Sequence, residues 1–205
     1  MLPDCLRQKR IRVLLSKSFL TLYGLFLIVS FLSTTMIEIP RPRHTMVTIY
    51  LLLLMLTTTQ LLRQEFSHKE KLLNLLLFIS CAGSAISSGY AFLLVPLLFI
   101  ISAKGISFRK LVQIYCVVAG VLLFLTVAGS QLGIVENLVY GKRISFGFNY
   151  PTDFAAHVFF FVLAYCYLRK DRLTYVELAG ILGLSIFTMV FSHARTNSIC
   201  LFLTF

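Results

Sequence analysis

Residues 72–103 read LLNLLLFISCAGSAISSGYAFLLVPLLFIISA, 32 residues without a charge, and the way this stretch divides decides the fold. As one helix it would reach about 48 Å at ~1.5 Å per residue, well beyond a hydrocarbon layer of about 30 Å. Gly83, Ser84, Ser87, Ser88 and Gly89 interrupt its middle, so two short helices turning at Ser87–Gly89 fit a bilayer better. Charge gives a second criterion, because lysine and arginine in short connectors favour the cytoplasmic side. With a hairpin the cytoplasmic side holds the five basic residues of the leader (Arg7, Lys9, Arg10, Arg12, Lys17) and three in each of the connectors 63–71, 104–110 and 169–172, which is 14 of the 19. A single long helix inverts every later segment and leaves 11 inside and 8 outside. The hairpin is therefore the expected arrangement.

Working outward, the other apolar blocks have the length of one crossing, about 20 residues. They run over 18–37, 45–62, 111–128, 151–168 and 174–191, beside the two halves 72–87 and 89–103. A last run over 198–205 is too short to cross. The 205 residues are 58% hydrophobic and 13% charged, against about 25% charged for a soluble domain, so a soluble fold could not cover itself. The expected class is all-α: a single polytopic transmembrane helix bundle over residues 1–205, about seven spans plus a truncated eighth, with the N-terminus cytoplasmic. The chain reads as the N-terminal half of something longer.

The basic leader resembles a secretion signal, but the block behind it is too long for a signal core and no small-x-small site follows. It reads as a retained helix. Pro40 and Pro42 forbid helix continuation and make 38–44 a tight extended link. The net charge of +11 would suggest nucleic acid on a soluble protein; here the basic residues follow topology, and no nucleic acid partner is expected. The five cysteines lie far apart, mostly inside apolar runs, without a CxxC pair or metal spacing. Thr174-Tyr175-Val176-Glu177 matches a capping box at the start of a span. Pro96 reads as a tolerated kink.

Two connectors hold the unusual polar residues: 129–150 and 192–197, both on the outward face in this topology. The first ends in Lys142-Arg143-Ile144-Ser145-Phe146-Gly147-Phe148-Asn149-Tyr150-Pro151-Thr152-Asp153, a mixture of cations, aromatics and glycine suited to an anionic glycolipid head. Asp153 and His157 stand four apart, so on a helix they share a face one turn apart. Either the carboxylate orients the imidazole, or Asp153 complements the helix N-terminal dipole while His157 bonds a neighbouring helix. Arg143 and Arg195 are the outward cations of choice, since a planar guanidinium grips phosphate oxygens bidentately; the plainer alternative is a solvated charge. His193, two residues from Arg195, has the chemistry of a base near neutral pH.

The stretch Arg143 to His157 (RISFGFNYPTDFAAH) resembles one found in polysaccharide repeat-unit polymerases of Gram-positive bacteria, the Wzy-type enzymes of capsule and exopolysaccharide synthesis. Ser192 to Asn197 is similar to the Ser-Arg element these share with O-antigen ligases, although His193 and Ala194 here separate serine from arginine. The resemblance covers about the last third of the chain. It implies glycosyl transfer at the outer face of the bacterial cytoplasmic membrane, joining undecaprenyl-pyrophosphate-linked oligosaccharide repeat units with no cofactor, nucleotide sugar or metal. It further implies pyrophosphate held by Arg143, Arg195 and Lys142, and a base from His157 with Asp153, or from His193. Phe146, Phe148 and Tyr150 would stack on sugars. The expected partners are the lipid-linked substrate, membrane lipid, a flippase and a chain-length regulator. A lipid-linked glycan flippase or other transporter, an O-antigen-type ligase, and an inactive truncated subunit are the competing readings.

Overall fold

The computed structural model describes residues 4–37, 48, 51, 52, 54, 55, 59, 66–88, 94–170 and 172–203. It is mostly helical. In chain order the described elements are α1 (Asp4–Leu32), α2 (His68–Ser88), α3 (Leu94–Ser102), α4 (Phe108–Gln131), β1 (Val139–Tyr140), β2 (Arg143–Ile144), α5 (Pro151–Arg169), α6 (Tyr175–Phe187), a π-helical turn (Thr188–Ser192) and α7 (Arg195–Phe202). Among the described residues, five stretches are long and apolar enough to cross a membrane: Val13–Leu32 in α1, all of α2, α4 and α5, and Tyr175–Ser192. The span expected at 45–62, the proline link with Arg41 and Arg43, and the turn at residue 89 lie wholly or mostly outside the described residues.

The chain forms two compact units, one of residues 1–23 and 41–106, the other of 24–40 and 107–205. In the first, Phe19 and Tyr23 of α1 meet Phe99 of α3 edge-on, with ring centroids 5.9 and 5.8 Å away. α2 runs to Ser88 and α3 from Leu94, on either side of residues 89–93, which lie outside the described residues. Ser67 and Glu70 form a capping box at the start of α2, with the Ser67 N–H on Glu70 Oε2 at 2.8 Å and the Glu70 N–H on Ser67 Oγ at 3.3 Å. Lys104, two residues past α3, reaches the same carboxylate at 2.7 Å. The beginning of α2 and the end of α3 are thus side by side, as a hairpin requires.

In the second unit α5 packs between α4 and α7, and α7 also lies on α6. The core joins Phe31, Phe146, Phe148, Phe154, Val158, Val162, Ile181 and Leu201. Gly120 on α4 lets Phe161 of α5 approach, since a Cβ there would sit 2.8 Å from the ring. The expected capping box of α6 is present: Thr174 Oγ1 accepts from the Glu177 N–H and the Glu177 carboxylate from the Thr174 N–H. That carboxylate also takes the Tyr165 hydroxyl and two N–H groups of Arg169, clamping the start of α6 to the end of α5. Deeper between α6 and α7, Ser185 Oγ donates to the Ser198 carbonyl at 2.8 Å and Thr188 Oγ1 to the Ser185 carbonyl at 3.0 Å. Thr188 Oγ1 has one proton, so the 2.9 Å contact with Ser198 Oγ is donated by the serine. Such interhelical hydroxyl bonds hold helices together where lipid removes the hydrophobic drive.

The ends of α1 and α4 differ from expectation. α1 starts within the basic leader and stops at Leu32 rather than at residue 37, because Ser33, Thr34 and Thr35 turn their hydroxyls back on the carbonyls of Ser30, Phe31 and Leu32 at 2.6, 2.7 and 2.9 Å. Those bonds satisfy acceptors that a helix end leaves open. α4 is three residues longer at each end than the expected 111–128. It closes where Gly133, with φ of 73°, turns the chain and the N–H groups of Ile134 and Val135 return to the Gly129 carbonyl.

Candidate functional site

The connector between α4 and α5 is folded. β1 and β2 pair antiparallel, Val139 opposite Ile144 and Tyr140 opposite Arg143. Gly141, with φ of 66°, occupies the first position of the two-residue turn, where a positive φ favours glycine. After β2 the chain passes through two left-handed residues, Phe146 at φ 52° and Gly147 at 84°. The Phe146 N–H is held by Asn137 Oδ1 at 2.9 Å. Its ring lies among Phe154, Phe187 and Phe191. Gly147 lies flush on α4, where a Cβ would meet the Thr126 carbonyl oxygen at 3.0 Å.

The end of α1 docks on this segment. The Met36 N–H donates to the Gly147 carbonyl and the Asn149 N–H to the Thr34 carbonyl, both at 2.9 Å, while Asn149 Nδ2 donates to the Ser33 carbonyl at 3.1 Å. Thr34 also meets His157, its Oγ1 standing 2.9 Å from Nε2. The single hydroxyl proton of Thr34 goes to the Phe31 carbonyl, so the imidazole donates from Nε2 and keeps the lone pair on Nδ1. The rings of Phe31 and Phe148 flank it, with centroids 4.2 and 5.4 Å away. Asp153, one turn earlier, lies in the first turn of α5, where a carboxylate complements the positive end of the helix dipole. Of the two readings of this pair, the geometry matches the one in which Asp153 serves the helix N-terminus and His157 bonds a neighbouring element; among the described residues no hydrogen bond joins the two side chains.

The second connector reaches the first. Arg143 Nε donates to the Ser192 carbonyl at 2.9 Å, and Ser192 Oγ to the Ile144 carbonyl at 3.4 Å. Beyond Ser192 the chain reverses at His193, left-handed at φ 48° and exposed, and Arg195 opens α7, also exposed. Asn197 Nδ2 lies 3.4 Å from the Thr152 carbonyl, so the N-termini of α5 and α7 face the same end of this unit. Each presents the positive pole of its backbone dipole there. Lys142 is exposed at the hairpin tip and Arg143 half-buried below it.

The three rings expected to stack on sugars separate. Phe146 and Phe148 are 6% and 0% exposed, packed into the core with no open face, whereas Tyr150 is 57% exposed. Its partner is Tyr140, 43% exposed, the ring planes 28° apart with centroids at 5.8 Å and the Tyr140 hydroxyl on the Asn149 carbonyl at 3.0 Å. Thr34 and Tyr140 were missed by sequence reasoning. Tyr140 had a signal in the alternation Val139-Tyr140-Gly141-Lys142-Arg143-Ile144 around a glycine; Thr34 had none beyond the hydroxyl run that ends α1. Among the described residues no group of three His, Cys, Asp or Glu side chains gathers to hold a metal.

Comparison with protein-family models, curated proteins and solved structures finds no match for this chain. Fold and composition define its class on their own: an α-helical protein with, among the described residues, five helices long and apolar enough to cross a membrane, the make-up of a membrane protein.

Proposed function

We propose that this chain is a polytopic membrane enzyme of the repeat-unit polymerase type, transferring glycans between lipid pyrophosphate carriers at the outer face of a bacterial cytoplasmic membrane. The observation that carries the reading is the convergence, at one end of the second unit, of Lys142, Arg143 and Arg195 with exposed His193, the Tyr140–Tyr150 pair and two helix N-termini. Preorganised cations and helix dipoles suit a leaving group that develops negative charge. In this chemistry a sugar hydroxyl oxygen attacks the anomeric carbon of the donor glycan and the bond to pyrophosphate breaks. The lipid pyrophosphate leaves against Arg195 and Lys142, and the hydroxyl proton passes to His193, the exposed imidazole. His157, tied to Thr34 between two rings, braces α5 against the end of α1.

The orientation rests on a parity argument. The end of α1 and the loop after α4 are hydrogen-bonded neighbours, so they share a membrane face, and an odd number of crossings must lie between the end of α1 and the start of α4. With the basic leader inside, this arrangement puts the cation cluster outside. An O-antigen-type ligase uses the same chemistry with another acceptor.

The test is the glycan profile of cells carrying Arg195→Ala. Polymer should be lost while single repeat units accumulate on lipid. Normal polymer length with wild-type protein abundance would remove the enzymatic assignment, and accumulation of repeat units on the cytoplasmic leaflet would point to a carrier instead.

A further inference from the structure

We propose that Arg143 is a positioning residue, whose Nε–H sets the turn that carries His193 and Arg195. The inference uses the site just proposed, but its structural half stands without it.

The reason lies in the Ser192 carbonyl. Ser192 is fully buried, and a buried carbonyl needs a donor. In a continuing helix that donor would be an N–H about one turn further on. Here the π-helical turn ends, His193 takes a left-handed conformation and Ala194 an irregular one (φ −88°, ψ 69°), so the chain swings away. Arg143 Nε, at 2.9 Å, supplies the donor that the helix does not. Ser185 and Thr188 join the two flanks of the reversal deeper down, at Ser198, while the other ties from the turn to β2 and α5 are long, at 3.4 Å for both Ser192 Oγ to Ile144 and Asn197 to Thr152. A left-handed non-glycine residue persists only where its surroundings fix it, and Arg143 makes the shortest of the three bonds that tie the turn at His193 to β2 and α5. The register of β2 brings Arg143 there, because its partner Tyr140 and the Gly141 turn hold the strand.

Arg143 therefore has two separable properties, a donor at Nε and a positive charge shared with the Nη groups. Two substitutions divide them. Glutamine carries an amide N–H donor the same number of bonds from the backbone as arginine Nε, without charge; lysine keeps the charge but moves its donor one bond further out. A purely ionic role ranks lysine above glutamine, and a positioning role reverses the order.

The experiment compares wild type, Arg143→Gln, Arg143→Lys and Arg195→Ala as full chains in lipid nanodiscs. It follows hydrogen exchange over residues 186–198 and titrates inorganic pyrophosphate. We expect exchange in Arg143→Gln to stay within about twofold of wild type, and in Arg143→Lys to rise at least tenfold. Arg195→Ala should leave exchange unchanged. Arg143→Lys should also weaken pyrophosphate binding about as much as Arg195→Ala despite its unaltered charge, a change that a turn with no part in the site would not produce. Equal exchange in all four proteins, or glutamine as loose as lysine, overturns the positioning role. If wild type binds no pyrophosphate, the proposed function fails while the exchange order still decides the role of Arg143.

Discussion

Replacing Gly147 by alanine should be far more damaging than replacing Gly141, although both glycines are left-handed. At Gly141, φ is 66° and a new Cβ meets nothing within 4 Å. The change there brings left-handed strain of about 1–2 kcal/mol, reduced by about 0.4–1 kcal/mol because alanine also restricts the unfolded chain. At Gly147, φ is 84° and the added carbon falls 3.0 Å from the Thr126 carbonyl oxygen and 3.1 Å from both Ser130 Cβ and Thr126 Cγ2. A helix carbonyl cannot swing aside, so overpacking of about 1–3 kcal/mol adds to the same strain. The expected destabilisation is about 2–4 kcal/mol at Gly147 and about 0.5–1.5 kcal/mol at Gly141. Thermal unfolding in detergent, followed with a thiol-reactive dye on the half-buried cysteines 81, 116, 166 and 200, reads the two losses side by side. Equal shifts, or a smaller one for Gly147→Ala, would refute the claim that contact between this loop and α4 shapes the site.

The pairing of Thr34 with His157 predicts a loss of about 1–3 kcal/mol for Thr34→Val, which strands the Nε2–H of a largely enclosed imidazole; Thr34→Ser, which restores the hydroxyl, should recover most of it in the same assay, and equal behaviour of the two variants would break the pairing. Single cysteines at positions 37, 142 and 193 should react with a membrane-impermeant maleimide in intact cells while one at 170 should not. Labelling of 142 and 170 from the same side would undo the proposed orientation.

What was legible in the sequence was whatever local chemistry fixes. The length of 72–103 and its run of small residues called for a reversal, and the start of α2 and the end of α3 lie side by side. Thr174 and Glu177 announced the start of α6. Less legible was anything depending on a residue distant in sequence. The end of α1 was local and still missed, because the hydroxyls of Ser33 to Thr35 end it five residues early while bulk hydropathy ran on to Ile37. The aromatic run 146–150 is one pattern in sequence but divides in space, because the left-handed step at Phe146 and Gly147 sends both phenylalanines into the core and leaves Tyr150 outside. No periodicity announces a positive φ at a phenylalanine. Asp153 and His157 share a helical face as spacing demands, yet spacing alone does not say whether two polar groups will choose each other or a third partner, and His157 found Thr34, 123 residues away in sequence.

The two ends of the second unit differ in a way that bears on function. Where α5 passes to α6, local rules are obeyed: a full capping box, a carboxylate with its acceptors occupied, and a short connector. At the other end several rules are broken within a few residues. Phe146 and His193 are left-handed without being glycine, a helix widens into a π turn, and the buried hydroxyls of Thr126, Ser130 and Ser145 find no hydrogen-bond partner among the described residues. Left-handed non-glycine residues cost about 1–3 kcal/mol each, and π turns are rare and frequently found at functional sites. A protein built only to pack would be relieved of such features by single substitutions, such as glycine for His193. Their concentration beside Arg143, His193 and Arg195, and not beside Glu177, is the pattern expected where geometry serves chemistry. His193→Gly therefore separates the two explanations: it should relax the turn and stabilise the fold while removing the proposed proton acceptor, so a gain in stability accompanied by loss of polymer is the outcome that chemistry requires, and a gain with polymer intact is the outcome that packing alone would give.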